Sequence, residues 1–78
     1  MPDTEKRAAR AKALLEDVTF KDALRVVKEY HTSVFLRPSA TEDEVMEARR
    51  MVLALTEVAN QLVSFVQDGE MIAAKGRN

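Results

Sequence analysis

Apolar residues recur along this chain at steps of three and four, and no alternating run is convincing. That spacing marks helices rather than strands. The longest register runs through Val45, Ala48, Val52, Leu55, Ala59, Leu62 and Val66, spaced 3, 4, 3, 4, 3, 4. It is the seam of an antiparallel hairpin or a coiled coil. A second stripe of Met51, Ala54, Val58 and Phe65 lies beside it. A second register runs through Phe20, Ala23, Leu24, Val27, Tyr30, His31 and Val34. A third, shorter one joins Ala8, Ala11, Leu14 and Leu15.

Three helices follow from these registers, over about residues 4–16, 20–36 and 42–68. Asp3 or Thr4 can cap the first, and Asp17 or Thr19 the second, because each can accept a bond from an orphan amide. The run Thr32-Ser33-Val34-Phe35 has weak helix propensity and leaves the end of the second helix prone to fray. Pro38 drives Arg37 out of the helical region. Thr41 with Glu44 then forms the signature of a capping box. Glu42 and Asp43 sit in the first turn, where the helix dipole favours acids. Gly69 reads as the residue that ends the third helix, leaving 70–78 as a frayed tail. The expected fold is all-α: a long antiparallel hairpin of helices 2 and 3, with the shorter helix 1 packed across it, in one domain over 1–78.

Size sharpens this picture. A chain of 78 residues buries only about 60–65% of its unfolded surface and is marginally stable alone. Such scaffolds need a disulfide, a metal or a partner chain. Cysteine is absent and His31 is the only histidine, which removes disulfides and disfavours a zinc site. Association with other copies, or one well-packed helical core, remains. Charged residues make up 32% of the chain, yet Glu57 is the only one between Met51 and Gln67. Thr56, Asn60, Gln61, Ser64 and Gln67 give that stretch a neutral polar face. Neutral polar residues beside apolar ones are typical of an interface rim. The same polar residues exclude a membrane span. A homo-oligomer interface is therefore expected on helix 3 at Met51, Leu55, Val58, Leu62 and Phe65.

Candidate chemistry is sparse. No glycine-rich phosphate loop, Ser/His/Asp ordering or His-Glu metal spacing is present, so no catalysis, cofactor or metal is expected. His31 reads as a partly buried residue of the second helix. Glu42, Asp43, Glu44 and Glu47 read as a capped, solvated helix start. Net charge is −1, which exerts no general pull on nucleic acid. Basic residues are spread over all three helices, and stacking aromatics are few. Tyr30, His31, Arg37, Ser39 and Thr41, with Arg49 and Arg50 nearby, mark the corner where an anion would bind at the start of helix 3.

The segment RAARAKALLEDVTFKDALRVVKEY, followed after a linker by ARRMVLALTEVANQLVSFVQDGEM, resembles small helical proteins of tailed bacteriophages and prophages. The matching features are Ala11–Leu15, the corner Asp17, Phe20–Ala23, and the helix carrying Leu53–Leu55 and ending near Asp68-Gly69. They cover about four-fifths of the chain. The chain departs from the pattern at Val18, where relatives carry proline. The resemblance implies a phage protein acting in the bacterial host cytoplasm or in the virion, with no assigned chemistry. The expected function is non-enzymatic binding of a virion or host protein by a homo-oligomer. The alternative is an anti-defence protein that sequesters a phosphate-bearing nucleotide signal in pockets between subunits.

Overall fold

The computed structural model describes residues 3–76. They form three helices: α1 over Asp3–Glu16, α2 over Val18–Val34 and α3 over Glu42–Gly76. The described residues contain no strand.

Side-chain caps set the boundaries. Asp17 is extended and accepts a bond from the Phe20 amide at 2.7 Å. It thereby starts α2 one residue after α1 stops. Of the two candidate caps, Asp17 acts, and Thr19 falls inside the helix. The start of α2 is therefore Val18 rather than residue 20. At its other end α2 gives way at Val34 to tighter bonds, from the Phe35 amide to Thr32 at 3.0 Å and from the Leu36 amide to Ser33 at 3.1 Å. The Ser33 hydroxyl also donates to the Tyr30 carbonyl at 2.7 Å, a local bond of the kind that loosens a helix end.

The capping box forms as expected. The Glu44 amide donates to the Thr41 hydroxyl at 3.1 Å, and the Thr41 amide donates to the Glu44 carboxylate at 3.3 Å. Two orphan amides are satisfied reciprocally, and α3 starts at Glu42. Arg37 approaches the same carboxylate at 3.8 Å.

The far end of α3 corrects the sequence reading. The helix does not stop at residue 68. It continues through Gly69 to Gly76 over 35 residues, or roughly 52 Å at 1.5 Å per residue. No glycine adopts a positive φ, so Gly69 is not a left-handed cap. Its role is steric. A Cβ placed at Gly69 would overlap the Ala8 Cβ of α1. Gly69 lets the two backbones close, and the helix carries on past it. The expected frayed tail is thus helical over 70–76, and 77–78 lie outside the described residues.

α1 packs most extensively on α3, α2 packs on α3 less, and α1 barely meets α2. Near its start, α1 lies at the far end of α3. Ala8 faces Gly69, and Arg7 reaches Asp68 at 4.0 Å and covers the Phe65 ring at 4.1 Å. Around the corner, Val34 and Ala48 border one hollow. The buried apolar set is small: Ala8, Ala11, Val34 and Ala48, joined by Gly69. The seam residues Val45, Val52, Leu55, Ala59, Leu62 and Val66 are only half-buried.

The resulting body measures 59 × 22 × 15 Å, with a radius of gyration of 17.0 Å. A compact domain of this length has about 11–12 Å. Its accessible surface is 6100 Å², whereas a compact monomer of this mass exposes about 4800 Å². The chain is a rod two helices thick, without a centre.

Candidate functional site: an open apolar flank and an acidic corner

The five residues expected at an interface divide into two sets. Met51 and Val58 are exposed at 40% and 51%. Leu55 and Leu62 are half-buried within the chain and belong to the seam between helices. Phe65 is half-buried, with the Arg7 guanidinium over its ring. Such a contact contributes about 0.5–1 kcal/mol at an exposed site. Met51 and Val58 lie on the second stripe of α3, whose far end α1 covers at Phe65; Met46, Leu53, Val63 and Met71 are exposed elsewhere on the helix.

Large exposed apolar side chains also occur on the other helices. Val26, Val27 and Tyr30 are exposed on α2, and Leu14 on α1. Sequence periodicity placed Val27 and Tyr30 on the inner register of α2. The structure leaves Tyr30 69% exposed. Val34, near the corner, is the single buried residue of α2. Along α2 an open groove of about 510 Å³ runs past Leu24, Lys28, Thr32 and Leu36, with Leu55 and Ala59 of α3 at its edge.

At the corner, Tyr30, His31 and Arg37 share a hollow with Asp43, Glu44 and Glu47. Tyr30 and His31 stack edge to face, with ring centroids 5.1 Å apart and an interplanar angle of 81°. Arg37 is engaged by Glu44, and Arg50 by Glu47 at 3.3 Å. The Thr41 hydroxyl is committed to the cap. Ser39 and Arg49 are exposed and do not line the hollow. Three carboxylates against one arginine make the corner acidic. That electrostatic balance opposes the anion site expected there, because a bound phosphate would face the carboxylates at close range. The sequence reading weighed the basic residues and the helix dipole. It missed that the first-turn acids point into the same hollow.

Among the described residues, no group of three or more metal-ligating side chains gathers to hold a metal ion. No helix there is long and apolar enough to cross a membrane. Comparison with protein families, with curated proteins and with solved structures found no match to this chain.

Proposed function

We propose that this chain is a non-enzymatic helical binding protein that works as a homo-oligomer, with α3 at the centre of the contact. The observation that carries the reading is the missing core. Among the described residues the buried apolar side chains are three alanines and one valine. The exposed surface exceeds that of a compact monomer by about 1300 Å². A standard interface covers about 800 Å² on each partner, so association would bring the chain into the ordinary range.

In this reading α2 and α3 form a long antiparallel hairpin, and α1 packs on the far half of α3. The pairs Arg37–Glu44 at one end and Ala8–Gly69 at the other support that arrangement. The stretch from Met51 to Gln67, with its single charge, is then dry because it is contacted from more than one side. A second protein, from a virion or a bacterial host, would bind the assembled oligomer. That part of the reading rests on the resemblance to phage proteins in Ala11–Leu15, Phe20–Ala23 and Asp68-Gly69. Sequestration of a nucleotide gains no support from the corner, whose acids oppose it.

Native mass spectrometry of the purified chain, over a range of concentrations, tests the proposal. A mass at a multiple of 8.8 kDa is expected. A monomer at every concentration up to the high micromolar range overturns it.

A further inference from the structure

We infer that a second copy of this chain seats, antiparallel and about a two-fold axis, on one specific flank of the rod. The flank is built from Met51 and Val58 of α3, Val26 and Tyr30 of α2, and Leu14 of α1. This rests on the homo-oligomer reading above and specifies the surface and the geometry.

Two contacts establish that the three helices present these residues to the same side. On α3, Glu47, Met51, Ala54, Val58 and Phe65 follow one another at steps of 4, 3, 4 and 7, so they share one side of the helix. Tyr30 borders the same hollow as Glu47, which puts Tyr30, and Val26 one turn before it, beside that stripe. Arg7 lies over Phe65, which puts the α1 side carrying Arg7, Ala11 and Leu14 beside the stripe's far end. Leu14, Val26, Tyr30, Met51 and Val58 are all exposed. An exposed apolar surface of this kind marks an interaction site. The one charge on this length of α3, Glu57, is about 100° around the helix from Val58.

Charge then fixes the direction. The flank is bounded at the corner end by Glu47, which pairs with Arg50, with Asp43 and Glu44 close by, and at the other end by Arg7, which pairs with Asp68. A parallel pair would oppose acid to acid. An antiparallel pair with its two-fold axis near Val58 keeps the two acidic corners at opposite ends of the contact. The same axis sets Val58 against itself, so the contact is isologous and closes at two copies. The surface excess of about 1300 Å² is enough for the roughly 800 Å² that each partner loses in a standard interface.

The test compares Val58→Glu and Met51→Glu with Leu53→Glu. Leu53 is 50% exposed but about 140° around α3 from Val58. Native mass is read alongside helix content by circular dichroism. The expected result is a dimer for the parent chain and for Leu53→Glu, and a halved mass for the two flank variants. A monomeric parent overturns the homo-oligomer reading and this inference together. A dimeric parent that Leu53→Glu dissociates, or that both flank variants leave intact, overturns the flank alone. Should a glutamate unfold the chain, oxidative cross-linking decides, because the chain has no cysteine of its own. Val58→Cys should then form a disulfide-linked dimer and Leu53→Cys should not; the reverse pattern rules the flank out.

Discussion

Replacing Gly69 by alanine separates two effects that normally point the same way. In a helix interior, alanine is favoured over glycine by about 0.8–1.0 kcal/mol. At an open position the change therefore stabilises. Gly69 is buried, and its new methyl group would overlap the Ala8 Cβ. Overpacking of this kind costs about 1–3 kcal/mol. The contact term meets or exceeds the propensity term, so Gly69→Ala should be neutral to destabilising by about 2 kcal/mol. Urea and thermal unfolding followed by circular dichroism at fixed protein concentration provide the assay. For a domain of this size, 1 kcal/mol moves Tm by about 4–8 °C. Adding Ala8→Gly removes the overlapping methyl. In that background Gly69→Ala should regain its propensity and stabilise by up to about 1 kcal/mol. The double-mutant cycle should thus give a coupling of about 1–3 kcal/mol. A Gly69→Ala protein stabilised by a full 1 kcal/mol, with zero coupling to position 8, would refute the close approach of α1 and α3.

Four further outcomes follow from the geometry. Thr41→Ala removes the hydroxyl that accepts from the Glu44 amide; it should cost about 0.5–2 kcal/mol in urea unfolding and slow no partner exchange in native mass spectra. Asp17→Ala removes the cap of α2 and should cost about 1 kcal/mol, whereas Asp17→Asn, which keeps an acceptor oxygen, should cost a few tenths. Arg25→Ala breaks contacts with Glu29 at 3.2 Å and Asp22 at 3.8 Å, all at the exposed surface, and its effect on Tm should stay within that of about 0–1 kcal/mol. Millimolar phosphate or cyclic nucleotide should leave Tm unchanged; a ligand present at 100 times its Kd would add about 2.7 kcal/mol, and a rise of that size would restore the anion site at the corner.

The features legible in the sequence are those written in neighbouring residues. The capping box at Thr41 and Glu44 and the break around Pro38 depend on atoms a few residues apart and are where the spacing predicted them, and the cap of α2 falls on Asp17, one of the two residues the sequence offered. The seam from Val45 to Val66 was also legible, because a 3–4 repeat specifies one side of a helix whatever covers it. Gly69 was not. A glycine that ends a helix and a glycine that admits a neighbouring helix look alike until the neighbour is known, and Ala8 is 61 positions away in the chain. The corner failed for a related reason. Arg37, Arg49 and Arg50 suggested positive charge, but only the packing of α2 on α3 decides that Asp43, Glu44 and Glu47 share the hollow with Tyr30. Tyr30 itself follows the inner period of α2 yet stays 69% exposed.

The placement of Gly69 against Ala8 also bears on how this chain folds. The close approach of Gly69 to Ala8 joins residues separated by 60 others, while the corner at Thr41 joins residues three apart. Closing the longer span costs more chain entropy before any contact rewards it. Folding should therefore nucleate at the turn between α2 and α3, and α1 should dock late, on a helix that already exists. Contacts that form after the transition state govern how fast a protein unfolds rather than how fast it folds. The small residues at the far end of α3 then act as a latch on the native lifetime: widening them should quicken unfolding and leave the folding rate almost untouched.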